Sequence, residues 1–198
     1  MNLPDLVIIN EFVPVPEIFH SEETRKPFDH CIDCGRFLLD DGTQYMIEKA
    51  FRSYKGFDAR DTVFEYALCL ECRERLAETL SSESKARIEA YFANHTDLVR
   101  RREDLIRGER LTVEAWLERC VVSGEPIRKM EEFQILCQCD GPDMLFGYVP
   151  YAIGGAAIDE VVNLLSNATI DQLNGFSDEH LGIPPELEDI FAKRVLLI

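Results

Sequence analysis

The chain has 198 residues, of which 46% are hydrophobic and 29% are charged. This is the composition of a globular protein with room for one or two domains and a buried core. Its 21 Lys and Arg face 37 Asp and Glu, and the net charge of -16 argues against a general DNA- or RNA-binding protein. The sequence lacks the run of about 20 apolar residues that a membrane helix needs. Its start, MNLPDLVIIN, lacks the cationic region of a signal peptide, so we expect a cytosolic protein.

The first predicted element is a strand near the N-terminus. The segment LVIINEFVPVPEIF has the composition of a strand and is interrupted by Pro14 and Pro16, which favours a position at a sheet edge. We expect this strand to lie over the first half of the chain.

Cysteine usage indicates a metal site rather than disulfides. The chain has seven cysteines, an odd number, and no export signal. Two residues separate Cys31 from Cys34, a spacing that lets both sulfur atoms reach one ion, and Gly35 allows the turn to close. The surrounding sequence FDHCIDCGRFLL predicts a knuckle that leads into a β-hairpin.

A second cysteine pair with the same spacing follows a predicted strand. After TVFEYALC, the segment CLECRERLAETL places Cys72, Leu76 and Leu80 at helical spacing. This pair therefore stands at a helix N-terminus, where free N–H groups and the helix dipole favour a thiolate. Two such pairs are the usual ligand set of a tetrahedral structural zinc site. We predict one Zn²⁺ with four ligands: Cys31, Cys34, Cys69 and Cys72.

Residues 28–92 resemble the treble-clef zinc fingers, in which a knuckle and a hairpin precede a helix that carries the second ligand pair. The resemblance implies a fold but no particular activity. Its nuclease branch implies a histidine between the two cysteine pairs. The histidines of this chain lie elsewhere: His20, His30, His95 and His180. A redox CxxC motif is a second interpretation, although it leaves one of the pairs unexplained.

Residues 93–119 predict a helical bridge. The helical pattern breaks near Gly108 and restarts after Thr112, a residue type that caps helices. Acidic residues follow the basic cluster Arg100–Arg102 and interleave with the later Arg107 and Arg110, which favours a solvated, salt-bridged face over a phosphate-binding one.

The second half of the chain repeats the pattern of the first without its metal ligands. The segment RCVVSGEPIRKMEEFQI aligns with HCIDCGRFLLDDGTQYMI, and PYAIGGAAIDEVVNLLS aligns with EYALCLECRERLAETLS. The alignment keeps one of the four cysteines, as Cys120. At the other three positions it places Ser123, Gly154 and Ala157, in that order. A helix without a metal anchor needs apolar packing, and a stripe at helical spacing provides it: Ile158, Val161, Val162 and Leu165.

Three cysteines remain outside the predicted zinc site. Cys137 and Cys139 alternate on the predicted strand FQILCQC, so both sulfur atoms point to one face. With Cys120 they form either a second metal site or a set of buried free thiols, and we favour the thiols. The adjacent Gly154 and Gly155 allow either an anion or close packing at the helix start.

The C-terminal segment predicts one more helix. It begins at Pro185, and its apolar end, 195–198, packs on the body or on a partner. From residue 121 onward the chain has 13 acidic and 4 basic residues. Such a surface suits a basic protein partner or nucleic-acid mimicry, and it is equally the surface of an ordinary acidic protein.

Together the patterns predict an α+β fold of tandem treble-clef-like units, the first zinc-bound and the second degenerate. The predicted parts are 1–92, the bridge 93–119, and 120–198. No catalytic motif such as HExxH or GxSxG occurs, so we expect a non-catalytic adaptor or regulator with a protein partner, not a membrane. The alternatives are a nucleic-acid-associated zinc finger that uses Arg100–Arg102, and a thiol redox protein.

Overall fold

A computed structural model describes residues 12–54, 56 and 59–181 and has a mixed α+β architecture. The strands are β1 Phe12–Pro14, β2 Gln44–Ser53, β3 Arg60–Cys69, β4 Glu132–Asp140, β5 Asp143–Leu145 and β6 Tyr151–Gly154. The helices are α1 Leu70–Thr79, α2 Ser82–His95, α3 Leu98–Arg107, α4 Val113–Leu117, α5 Gly155–Val162 and α6 Asn167–His180. Single 3-10 turns occur at Glu17–Phe19 and Ile127–Lys129. Within these ranges no helix combines the length and apolarity needed to span a bilayer.

The six strands form one antiparallel sheet that draws on both halves of the chain. Its order is β1-β5-β4-β2-β3, and β6 pairs with β4 on the same side as β5. The central strand β2 pairs with both β3 and β4, so that Glu48 lies opposite Tyr66 on one side and Leu136 on the other. The two CxxC pairs therefore flank strands, β2 and β3, that share one sheet with β4, β5 and β6 of the second half.

The N-terminal strand lies at a sheet edge, as its prolines predict, but its expected position is wrong. Phe12–Pro14 pairs with β5, which belongs to the second half, with Phe12 opposite Leu145. The next turn, Glu17–Phe19, contacts β2 of the first half, and its Phe19 is buried in the core. A strand of three residues has too short an apolar–polar pattern to predict which strand of the sheet it pairs with. The predicted C-terminal helix after Pro185 lies outside the described residues.

Two capped helices meet at a polar contact that joins the halves. Ser81 caps α2 and Ser166 caps α6, and each side chain accepts a hydrogen bond from an N–H of its own first turn. The Ser81 N–H also donates to Thr169 Oγ1 at 3.0 Å, and the Ser166 N–H donates to Ser84 Oγ at 2.9 Å. The two hydrogen bonds are reciprocal: the cap residue of each helix donates its backbone N–H to a hydroxyl in the first turn of the other helix.

The bridge is helical, as predicted, but its basic cluster is not uniformly solvated. Thr112 caps α4 by accepting from the Ala115 N–H, and α3 ends at Gly108. The Arg101 guanidinium is half-buried, donates to the Pro150 carbonyl at 3.0 Å and lies 5.0 Å from the centre of the Trp116 ring. Burial lowers the pKa of Arg101 to about 10. Arg101 is thus part of the packing, and the expectation of a solvated side chain was wrong for it.

A buried lysine with carboxylate partners supports the sheet. The Lys49 side chain is 1% exposed, and its Nζ lies 2.9 Å from Glu65 Oε2 and 3.4 Å from Glu22 Oε1. The ammonium also donates to the His20 carbonyl at 2.6 Å. Because a buried charge needs a partner, these contacts tie the N-terminal turn to β2 and β3.

We expect Lys49→Met to lower the free energy of unfolding by about 3 kcal/mol, because it leaves the Glu65 carboxylate without its cation in a half-buried position. Lys129→Met is the matched control, since Lys129 is exposed and should change stability by less than about 0.5 kcal/mol. Urea unfolding of the metal-loaded chain measures both values. Equal losses in the two variants would show that the pair does not stabilise the fold.

Candidate metal centre

The first cysteine pair lies in a tight turn. The Gly35 N–H donates to the Cys31 carbonyl at 2.9 Å, and the Cys31 N–H donates to the Arg36 carbonyl at 2.8 Å. Gly35 has φ of +70°, a left-handed conformation that other residues rarely adopt, so the expected role of this glycine in closing the turn is confirmed. The turn leads into the hairpin of β2 and β3, as the sequence predicts.

The second pair lies where β3 passes into α1. Cys69 is the last residue of β3 and the N-cap of α1, and Cys72 is in the first turn of that helix. The Ile32 N–H donates to the Ala67 carbonyl at 2.9 Å, which holds the turn against β3. In addition, the Cys69 N–H donates to Cys31 Sγ at 3.4 Å. Backbone contacts therefore bring the two pairs together.

The four sulfur atoms of Cys31, Cys34, Cys69 and Cys72 all lie within 4.8 Å of one another. Cys34 Sγ and Cys69 Sγ are 3.8 Å apart. A tetrahedral zinc–thiolate site with bonds of about 2.3 Å places its sulfur atoms about 3.8 Å apart, so the arrangement fits one ion. Cys34 is exposed, whereas the other three cysteines are buried. The four cysteines can hold a metal ion.

Charged side chains surround the cluster. Arg75 Nη2 donates to Cys72 Sγ and to Asp33 Oδ2, both at 2.9 Å. Arg36 forms a bidentate pair with Glu71 at 2.8 and 2.6 Å, which links the first turn to α1. An arginine that donates to a thiolate disperses part of its negative charge, as the outer groups of metal sites commonly do.

The thiols differ in acidity according to their surroundings. Burial acts to raise the pKa of the Cys34 thiol, but the Arg36 backbone N–H and the neighbouring thiols more than offset burial and lower that pKa. Burial raises the pKa of Cys69, and burial together with Asp33 raises the pKa of Cys72. A bound divalent cation would displace these protons, since the thiolate is the form that binds metal.

The remaining cysteines form no such cluster among the described residues, where the four-cysteine group is the one metal-compatible set. Cys137 Sγ and Cys139 Sγ are 3.7 Å apart on one face of β4, as their alternation predicts, and both are fully buried. Burial also raises the pKa of Cys137 well above its usual value. These properties agree with buried free thiols.

The turn at Cys120 has the same hydrogen bonds as the turn at Cys31. The Gly124 N–H donates to the Cys120 carbonyl at 2.9 Å, and the Cys120 N–H donates to the Glu125 carbonyl at 2.9 Å. The Gly154 N–H donates to Cys120 Sγ at 3.3 Å, as the Cys69 N–H does to Cys31 Sγ. Gly154 is likewise the N-cap of its helix, α5. The two turns therefore share these hydrogen bonds, although the second contains a single thiol.

The chain matches no known family model, no curated protein and no solved structure. Sequence reasoning did not identify the roles of Asp33, Arg75 and the Arg36–Glu71 pair. Their one sequence signal is their position beside the cysteines, because charged residues next to metal ligands commonly complete the surroundings of a site.

Replacing any one of the four clustered cysteines by serine should lower the free energy of unfolding by about 3 kcal/mol or more, because loss of one ligand removes the metal's contribution to folding. The matched control is Cys120→Ser, which alters the equivalent turn and should cost less than about 1 kcal/mol. The measurement is urea unfolding in the presence of excess zinc. Losses as large in the control as in the four variants would contradict the assignment.

Proposed function

We propose that the protein is a non-catalytic cytosolic adaptor or regulator, stabilised by one structural Zn²⁺ at Cys31, Cys34, Cys69 and Cys72. The supporting observation is the closed donor set. Four protein thiols fill a tetrahedral shell, whereas a catalytic zinc keeps one position open for water or substrate. The metal in this proposal holds a turn to a helix and leaves the protein surface for binding.

We also propose that the chain consists of two treble-clef units that arose by duplication, the second of which has lost its metal. The alignment of the halves pairs Glu48 with Leu136, and these residues lie opposite each other at the centre of the β2–β4 pairing. Ile47 lies opposite Ala67 just as Ile135 lies opposite Ala152. Two related units that face each other across an antiparallel strand pair would have this register.

The helices support the same proposal. Of the ten residues of α1, Cys72 alone is buried. The corresponding helix α5 buries most of its apolar positions: Gly155, Ala157, Ile158, Val161 and Val162. Leu165 of the predicted stripe is also buried, three residues beyond the end of α5. Hydrophobic packing in the second unit replaces the anchoring that we assign to zinc in the first.

Restoring the lost ligands tests the duplication. A Cβ atom at Gly154 would lie 2.6 Å from Met130 Sδ, so the variant must shorten Met130 as well. We expect the chain carrying Met130→Ala, Ser123→Cys, Gly154→Cys and Ala157→Cys to bind two zinc ions, where the parent binds one. Metal content by inductively coupled plasma mass spectrometry is the readout, and circular dichroism checks that the variant folds.

The control adds Cys120→Ser to the same variant. Its metal content should return to one zinc ion, because three thiols do not complete the coordination of zinc at the second site. A folded variant that still binds one zinc ion would contradict the proposed equivalence of the two turns.

The adaptor proposal is tested by direct binding. The zinc-loaded chain is immobilised, retained proteins are purified, and calorimetry measures the complex of the two pure components. We expect a stoichiometric protein complex. Oligonucleotide binding that weakens steeply with salt and is lost in Arg100→Gln with Arg102→Gln would instead favour the nucleic-acid alternative. Rapid alkylation of Cys34 with metal bound would favour thiol redox chemistry.

A further inference from the structure

A groove of about 850 Å³ lies between the end of the β2–β3 hairpin and the segment 127–131. Its apolar lining comes from Ile127, Met130 and Phe133. Tyr54 lies at its border with 42% of its surface exposed, and its hydroxyl donates to Asp61 Oδ2 at 2.7 Å. None of the residues that line the groove belongs to the cysteine cluster or its surroundings.

Three exposed cations line this groove: Arg60, Arg128 and Lys129. Across the described part of the chain none of the three forms an ion pair. Elsewhere, most exposed arginines have carboxylate partners; Arg107, for example, lies 3.6 Å from Asp104. Unpaired cations gathered at one place are notable in a chain with a net charge of -16.

Arg60 is held in position by aromatic rings. Its guanidinium carbon lies 4.6 Å from the centre of the Phe51 ring and 5.9 Å from the centre of the Phe133 ring. A cation–π contact holds a guanidinium over a ring and leaves N–H donors available for an incoming carboxylate. Less side-chain entropy is then lost on binding than for a free arginine.

We propose that this groove binds an acidic peptide segment that carries at least one large apolar side chain. This inference rests on the proposed adaptor function and identifies the binding surface and the chemistry of the partner. Arg60 accommodates a carboxylate in bidentate geometry, Arg128 and Lys129 attract further acidic residues, and the apolar side chain packs against Met130 and Tyr54.

The charges favour a short acidic peptide over nucleic acid. Three cations neutralise about three anionic groups, whereas nucleic-acid binders commonly make six to ten phosphate contacts. A short acidic segment matches that number of charges.

The test is a selection of random short peptides displayed on phage, performed on the full-length, zinc-loaded chain. The most enriched peptide is then labelled, and its affinity is measured by fluorescence anisotropy. The groove variant replaces exposed side chains only: Arg60→Gln, Arg128→Gln and Lys129→Gln. The control variant makes the same change of charge on α2 and α3: Lys85→Gln, Arg100→Gln and Arg107→Gln.

We expect the enriched peptides to combine Asp or Glu with Phe, Tyr, Trp or Leu. The groove variant should bind the labelled peptide at least about tenfold more weakly, and the control variant within about twofold of the parent. Replacing the peptide's acidic residues by their amides should cause a similar loss.

Five results would overturn the proposal. The first four are no enrichment, enriched peptides without acidic residues, an equal loss of affinity in both variants, and a thymidine oligonucleotide that binds the groove more tightly than the peptide. Enriched peptides that bind the groove variant as well as the parent would reject this groove while leaving the adaptor function intact. Failure of the adaptor proposal itself appears separately, as the absence of any stoichiometric protein complex.

Discussion

The convergence of four thiols at the junction of a turn, a strand end and a helix start is the constraint on which the first half of this protein depends. Among the residues of α1 Cys72 alone is buried and the half-buried Leu76 packs against the core, so apolar packing holds this helix through few side chains. The four cysteines can hold a metal ion, and in the proposed zinc site that ion supplies the attraction between the turn and the helix. The Arg36–Glu71 and Arg75–Asp33 pairs reinforce the same junction from outside.

The second half solves the same geometric problem by a different physical means. The turn at Cys120 has the backbone hydrogen bonds of the turn at Cys31, but α5 is held by buried aliphatic side chains. Its N-cap, Gly154, also packs closely against Met130. Under the proposed duplication, the apolar face of α5 compensates for the loss of three thiols, because burial of each large side chain contributes roughly 1.5–3 kcal/mol. The central pairing of β2 with β4 then makes one sheet from the two halves.

Local features of this molecule were predictable from its sequence, and long-range ones were not. Gly35, the helix after Cys69 and the cap at Thr112 follow from short patterns, because turns and caps depend on neighbouring residues. The pairing of β1 with β5, the burial of Lys49 and the packing of Arg101 depend on residues distant in sequence. No local pattern distinguishes a buried paired lysine from a solvated one.

Native mass spectrometry of the untagged chain, purified without chelator, tests the central claim most directly. The account predicts one zinc ion per chain, lost when Cys31, Cys34, Cys69 and Cys72 are all replaced by serine and retained when Cys120 is replaced. A chain that folds without metal would contradict the account. A second zinc ion would contradict it equally, because it would require ligands among Cys120, Cys137 and Cys139.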